Sequence, residues 1–247
     1  VLDVTTSTNT VAVQLAQEDA PHGTVVVADE QTLGRGRLGR PWYSPPRKNL
    51  YCSVLLRVEI PRGRLGYWFS WIPLIAGLAA AQAIETLAGL APRIKWPNDL
   101  LLGSRKVGGI LCESGALASA SPFVVVGLGL NVNIATEEFP CELRELATSL
   151  AAEAQRPFDR AAVLATFLSF LEDRCQAFLN GLDADIHQGY VARCATLGQQ
   201  IRVERVGGAS VVGLATSIGT DGSLQILQAD GSVLDLHAGD VIHVRAR

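Results

Sequence analysis

Residues 29–53, DEQTLGRGRLGRPWYSPPRKNLYCS, carry five basic side chains (Arg35, Arg37, Arg40, Arg47, Lys48) interleaved with Gly34, Gly36 and Gly39, and place Trp42 and Tyr43 just ahead of two adjacent prolines. Such a loop suits an anion. Glycines let backbone N–H groups approach a phosphate, and each arginine supplies charge-assisted hydrogen bonds of roughly 1.5–3 kcal/mol. Gly34 to Gly39 spell GxGxxG, and the apolar run before them reads as a strand, as in a dinucleotide-binding unit. That unit needs a helix to open at the third glycine. Pro41, Pro45 and Pro46 remove backbone donors and push their preceding residues out of the α region, so residues 39–47 are expected to be extended or looped. The stretch is therefore a phosphate-facing loop between two strands, and nicotinamide chemistry is set aside.

Working outward, Thr24 to Glu30 before the loop and Asn49 to Glu59 after it have the β-branched, apolar character of central strands. Val1 to Thr5 reads as a further strand, and Ser7 or Thr8 offers an N-cap to a helix carrying Val11, Ala12 and Leu15 on one face. A Pro- and Arg-rich turn precedes a long, almost wholly apolar helix predicted over Trp71 to Leu87. Pro73, Gln82 and Glu85 interrupt the apolar stretch, which reads as a buried core helix and not a membrane span. Arg93 to Trp96 and Leu100 to Leu102 are short strands around Pro97-Asn98-Asp99. Gly103-Ser104 turns the chain into Lys106 to Ser114, and Phe123 to Asn133 (FVVVGLGLNVN) is a strand with glycine at alternate positions. Glycine within a strand marks a bulge or a surface that a ligand or another backbone approaches closely, and packing against the core helix is the plainer reading of Gly127 and Gly129.

From Glu142 to about Ala195 the pattern is helical, with Phe167, Leu168, Leu171 and Phe178 at core spacing. Beyond Gly198 it changes to five short alternating strands: Gln200 to Val206, Ser210 to Ile218, Leu224 to Gln228, Ser232 to Leu236 and Val241 to Arg245. Asp221-Gly222 and Asp230-Gly231 supply turns among them. This predicts a small β-barrel or sandwich after a larger domain. At 247 residues the chain can bury roughly 70–75% of its unfolded surface. The formal charge of −3 makes the basic loop a local feature and gives no global sign of nucleic-acid or membrane binding. Five cysteines without a CxxC pair point to reduced thiols in a cytoplasm, and four scattered histidines give no metal-ligand spacing.

Four motifs occur in order: Ser7-Thr8-Asn9, GRGRLGRPWYSP, Lys95-Trp96-Pro97-Asn98-Asp99 leading into Arg105-Lys106-Val107-Gly108-Gly109-Ile110-Leu111, and Gly127-Leu128-Gly129-Leu130-Asn131-Val132-Asn133. Together they closely resemble the biotin protein ligase family over nearly the whole chain. The resemblance implies an α+β fold: a mixed-sheet catalytic domain of the biotin/lipoate ligase type, akin to class II aminoacyl-tRNA synthetases, over residues 1–196, and a small Src-homology-3-like barrel over 197–247. It implies ATP-dependent transfer of biotin to a lysine of a carboxylase's carrier protein or domain through biotinoyl-5'-AMP. ATP and Mg²⁺ enter together, with no protein-only metal site.

By the same resemblance, Ser7, Thr8 and Gln31 face the ureido end of biotin, and Gly34, Arg35, Arg37 and Lys106 cover its carboxylate. Gly109, Gly127 and Gly129 let the sheet approach the ligand. Arg35, Arg37, Trp42, Asn98, Lys106 and Asn131 serve ATP, with Trp42 against adenine. Arg37, Lys106 and Asp99 are the candidate catalytic groups, Asp99 beside the acceptor lysine. No helix-turn-helix pattern precedes Ser7, so the expectation is a monofunctional ligase with no DNA-binding part in this chain. Val1 is not an initiating Met, which leaves upstream residues open. A homodimer through a sheet edge is a further expectation. The rivals are a lipoate–protein ligase, which shares the adenylation logic, and a non-catalytic nucleotide- or RNA-binding module stacking bases on Trp42 and Tyr43.

Overall fold

The computed structural model describes residues 1–57, 64–115, 122–204, 210–237 and 240–243. The predicted turn after Glu59, the end of the strand leading to it (Val58, Glu59), and the strand ends at Arg205–Val206 and Val244–Arg245 lie outside the described residues.

Seven strands form one mixed sheet: β1 (Leu2–Thr5), β2 (Val25–Gln31), β3 (Leu50–Leu56), β4 (Arg93–Lys95), β5 (Asp99–Leu102), β6 (Arg105–Gly115) and β7 (Phe123–Leu130). Their spatial order is β1-β2-β3-β7-β6-β5-β4, with β1 parallel to β2 and every other pair antiparallel. β3 is buried along its whole length, as its unbroken apolar run requires of a strand covered on both faces. One face packs on α2 (Leu65–Ala88), α4 (Arg160–Leu179) and α5 (Asp183–Arg193), with the short α3 (Leu150–Ala154) beside them. On the other face α1 (Thr8–Gln17) closes a smaller core of Ala12, Ala16, Val26, Leu55, Phe123 and Val125.

Helix α2 begins six residues before the predicted Trp71 and carries Pro73 in its interior. The burial of Trp68 and Trp71 outweighs the lost donor. By length and composition α2 can cross a membrane. Its thirteen buried residues instead make it the central helix of the core, and Gly89, in the left-handed region at φ 65°, ends it. β7 stops at Leu130, three residues short of prediction: the Asn131 N–H still donates to the Val107 carbonyl of the neighbouring strand at 2.8 Å, but the Val132 N–H goes to the Asn49 side chain at 3.0 Å.

The remaining strands, β8 (Gln200–Glu204), β9 (Ser210–Ile218), β10 (Leu224–Leu227), β11 (Val233–Leu236) and β12 (Asp240–His243), form a five-stranded antiparallel sheet ordered β11-β10-β9-β8-β12. Its β9–β10 turn is seated on the larger unit. Trp71 Nε1 donates to the Thr220 carbonyl at 2.9 Å and Trp96 Nε1 to the Gly222 carbonyl at 3.2 Å, and the Ile218 carbonyl lies 2.7 Å from His187 Nε2. Trp96 directly precedes the Pro97-Asn98-Asp99 turn, so this contact also braces one wall of the site.

Candidate active site

On the α1 side of the sheet lies a cavity of about 440 Å³. The basic loop forms its outer wall. From β2 the chain enters a narrow hairpin, in which the Trp42 N–H donates to the Gly34 carbonyl and the Gly36 N–H to the Arg40 carbonyl, both at 2.8 Å. Arg37–Gly39 make a single 3₁₀ turn at its tip, where Leu38 and Gly39 take positive φ (57° and 71°) and the Leu38 side chain is exposed. The loop is looped and not helical, as its prolines require.

The inner end of the cavity is neutral and hydrogen-bonded. Ser7, Thr8 and Asn9, at the first turn of α1, are all buried. Ser7 makes no side-chain capping bond, so the helix start leaves its hydroxyl to the cavity wall. The Gln31 amide oxygen accepts from the Thr8 N–H at 2.9 Å and lies 3.1 Å from its hydroxyl, while Gln31 Nε2 donates to Ser44 Oγ at 3.2 Å. Ser53 lies 2.8 Å from Thr8 Oγ1 and 2.6 Å from Asn9 Oδ1, and with one hydroxyl proton it serves one of them at a time. Both amide protons of Asn9 are used, on the Leu111 carbonyl at 3.1 Å and Glu113 Oε2 at 2.7 Å. Neutral donors and acceptors held this firmly match a neutral, doubly hydrogen-bonding group and offer nothing to an ion.

The other end is cationic. Arg35, Arg37, Arg40 and Lys106 line the cavity, and Asp99 is the one carboxylate among its described lining residues. Lys106 Nζ sits 2.5 Å from Asp99 Oδ1 and 5.3 Å from the centre of the Trp42 ring, so the ammonium has a carboxylate on one side and an aromatic face on another. Its backbone is fixed as well. The Lys106 N–H donates to the Leu146 carbonyl at 2.8 Å, and its carbonyl accepts from Thr148 N at 2.9 Å. Arg37 reaches Asn98 Oδ1 at 3.4 Å, and Asn98 Nδ2 is anchored on the Ile110 carbonyl at 2.7 Å. Arg35 is committed to Glu113, both of whose oxygens lie 3.1–3.2 Å from Nη2.

Glycines set the floor. A Cβ on Gly127 would stand 2.1 Å from Asn9 Oδ1, and one on Gly129 would stand 2.6 Å from Trp42 Nε1. These two face α1 and the cavity, not the core helix that the plainer sequence reading assigned them. A Cβ on Gly109 would meet Lys106 Cε at 3.4 Å. The indole N–H of Trp42 is buried without a hydrogen-bond partner among the described residues, an orphan donor in the cavity wall. Cys52, at 0% exposure, also borders the cavity, and burial pushes its thiol up to about 12, which removes it as a nucleophile.

Ser7, Thr8, Gln31, Arg35, Arg37, Trp42, Asn98, Asp99, Lys106, Gly109, Gly127, Gly129 and Asn131 thus all border one cavity. Gly34 lies behind the wall, where a Cβ would meet Ser44 Oγ at 2.5 Å. Asn131 is largely engaged, donating to the Thr148 carbonyl at 3.0 Å and accepting from Asn49 at 3.4 Å. Sequence reasoning assigned no role to Asn9, Glu113 or Arg40, or to Phe139, Leu143, Leu146 and Ala147, which cover the cationic end. Glu113 carried a usable signal, a carboxylate at strand spacing from Gly109 and Leu111 in an otherwise apolar run. The covering segment carried none, because only the tertiary pairing of Lys106 with residues 146–148 brings it there.

Comparison with known proteins gives two family matches: the biotin/lipoate A/B protein ligase family over residues 1–131 and the biotin protein ligase C-terminal domain over residues 196–244. Among similar proteins, the biotin–[acetyl-CoA-carboxylase] ligase of Mycobacterium tuberculosis is 38% identical over 227 residues, 90% of this chain and 80% of its own length. The bifunctional ligase/repressor BirA of Bacillus subtilis is 35% identical over 239 residues, 97% of this chain and 72% of its own. The biotin protein ligase of Aquifex aeolicus in complex with biotin and ATP superposes with a TM-score of 0.82 at 28% identity, covering 99% of this chain and 97% of that one.

Proposed function

The chain belongs to the biotin/lipoate A/B protein ligase family, and we propose that its cavity joins biotin to AMP and passes the biotinoyl group to a lysine of a carboxylase's carrier protein. The protein is a biotin ligase with ATP and biotin as substrates, and its partner is a carboxyl carrier protein. One observation carries the assignment of parts: a single cavity has a neutral hydrogen-bonding end at Thr8 and Gln31, a cationic end at Arg37, Arg40 and Lys106, and a floor of glycine between them. Biotin has this polarity, a neutral cyclic urea at one end and a carboxylate at the other. A lipoyl chain ends in a dithiolane that uses none of the neutral donors, so lipoate ligation is the weaker reading.

In the first half-reaction a biotin carboxylate oxygen attacks the α-phosphorus of ATP, the bond to the β-phosphate oxygen breaks, and pyrophosphate leaves. Two anions must meet, and Arg37 and Lys106 are placed to offset their repulsion; fixed charge of this kind contributes on the order of 10²–10³ in rate per group. Arg35 stands at the same wall, its charge shared with Glu113. Trp42, which lines the cavity beside Lys106, would supply an aromatic surface to the nucleotide base. Magnesium would neutralise the triphosphate. Among the described residues no group of three or more His, Cys, Asp or Glu side chains is placed to hold a metal.

In the second half-reaction the acceptor amine attacks the acyl carbonyl, an amide forms, the acyl–phosphate bond breaks and AMP leaves. Asp99 would orient that amine and take its proton. No enzyme nucleophile takes part. The catalytic unit is proposed to span residues 1–196 and the barrel 197–247. A homodimer would use the exposed edge of β1, where Leu2 and Val4 are open to solvent. A cytoplasmic location completes the reading.

The deciding experiment is pyrophosphate release with ATP and magnesium, comparing biotin, lipoate and no acid, with the product identified by mass. Biotin-dependent release yielding biotinoyl-adenylate is the expected result. Release with lipoate but not biotin would overturn the reading of the neutral end.

A further inference from the structure

Ser53 stands in the middle of β3, fully buried in an otherwise hydrophobic run, and does not line the cavity. It pairs in register with Gly127, the residue whose missing side chain makes room for Asn9. The polar atoms around it have partners that fix which way each proton points. Asn9 Nδ2 faces two groups that accept, the Leu111 carbonyl at 3.1 Å and the Glu113 carboxylate at 2.7 Å, so Asn9 Oδ1 is turned to Ser53 at 2.6 Å. No other donor among the described residues is placed on that oxygen, and the Ser53 proton goes to it. With its proton committed, Ser53 Oγ accepts from the Thr8 hydroxyl at 2.8 Å. The protons then run one way, from Thr8 to Ser53, from Ser53 to Asn9 and from Asn9 to the Glu113 carboxylate, and bonds of one sense strengthen each other.

The consequence falls on the cavity side of Thr8. Gln31 Oε1 accepts the Thr8 N–H at 2.9 Å and, since the hydroxyl proton has gone to Ser53, keeps its second lone pair. Thr8 Oγ1 and Gln31 Oε1 are left 3.1 Å apart with no proton between them, and both residues border the cavity. Two oxygens so placed call for a donor. We propose that Ser53 is a positioning residue that sets the hydrogen-bond polarity of the neutral end: by drawing the Thr8 proton towards Glu113 it makes Thr8 and Gln31 acceptors only, and so selects a ligand that presents an N–H between them. That this N–H belongs to the cyclic urea of biotin rests on the ligase reading above.

Ser53→Ala tests this. Without Ser53 the Thr8 proton falls to Gln31 Oε1, which is then filled, and the cavity loses an acceptor. Calorimetric titration of the full chain without nucleotide should show biotin, and its analogue lacking the thioether bridge, each binding about fivefold more weakly, the worth of one neutral hydrogen bond. They lose the same factor because they present the same ring N–H groups. In turnover at saturating biotin, kcat and KM for ATP should stay within about twofold of wild type. On a Thr8→Val background, where the acceptor is already gone, Ser53→Ala should add nothing to the loss of biotin affinity, whereas a merely structural effect would add its full factor. Unchanged biotin affinity, a loss that the thioether-free analogue does not share, an equal rise in KM for ATP, or additive losses on the Thr8→Val background would each overturn the proposal and leave the ligase reading standing. Wild-type protein that bound neither urea would bring down the ligase reading and the proposal together.

Discussion

Gly127→Ala is the substitution on which the structure makes its firmest demand. The added methyl carbon would stand 2.1 Å from Asn9 Oδ1 and 2.9 Å from Asn9 Cγ, and that side chain has no free direction to give. Asn9 is 4% exposed and bound to Ser53, the Leu111 carbonyl and Glu113. Moving it forfeits two neutral hydrogen bonds and one to a carboxylate, together about 3 kcal/mol, against which alanine recovers about 0.5–1 kcal/mol of chain entropy. A net loss of about 2 kcal/mol lowers the thermal midpoint by about 4–8 °C in a chain of this size. Gly129→Ala is the matched control. Its methyl would press on Trp42 Nε1 at 2.6 Å, but Trp42 sits on a partly exposed surface loop that can shift. Gly129→Ala should therefore melt within about 2 °C of wild type while raising KM for ATP, and Gly127→Ala should melt early and raise KM for biotin. Scanning calorimetry with steady-state pyrophosphate release separates the two. Equal stability of all three proteins, or a biotin defect in Gly129→Ala alone, would refute the assignment of the two glycines to the two ends of the cavity.

Lys106→Ala and Arg37→Ala should each slow single-turnover adenylate formation at least about tenfold, about 1.4 kcal/mol in barrier, with the fold intact by circular dichroism. Asp99→Asn should leave biotin-dependent pyrophosphate release nearly unchanged but slow transfer to the carrier protein by about 10²-fold or more, so that biotinoyl-adenylate accumulates on the enzyme; equal loss in both half-reactions would remove Asp99 from acceptor chemistry. Iodoacetamide at pH 8 should label exposed Cys141 first and leave Cys52 unmodified, since a thiol at about 12 has roughly one part in 10⁴ as thiolate and no access to solvent; mass mapping of the labelled peptides decides it.

The order of strands and helices was legible because each element announces itself locally. The central strands are continuous apolar runs, the turns at Gly103, Gly222 and Gly231 take the positive φ that their glycines suggest, and the prolines after Gly39 exclude a helix. Helix α2 shows where local reading stops. The local pattern starts the helix at Trp71, but Trp68 and Trp71 are buried against α4 and the helix runs back to Leu65. The site shows the same limit. Residues that border the cavity within recognisable motifs, such as Thr8, Gln31 and Lys106, could be named from the chain. Residues that act by holding others could not, since Glu113 is 104 positions from Asn9 and 78 from Arg35.

That limit has a physical origin in the division of labour within the cavity. Three of the cations that line the cavity already have partners: Arg35 in Glu113, Lys106 in Asp99 and Trp42, Arg37 in Asn98. A pocket of bare cations would hold any phosphate. One whose cations already have partners binds only an anion that competes with those partners in the right places, and this turns electrostatic attraction into selection. The two carboxylate partners, Asp99 and Glu113, come from strands β5 and β6, far from the basic loop in sequence, because only an independently fixed scaffold can hold a carboxylate 2.5 Å from a lysine and have it remain there when the ligand leaves. The basic loop gives the site its charge, and the sheet beneath it decides where that charge can be spent.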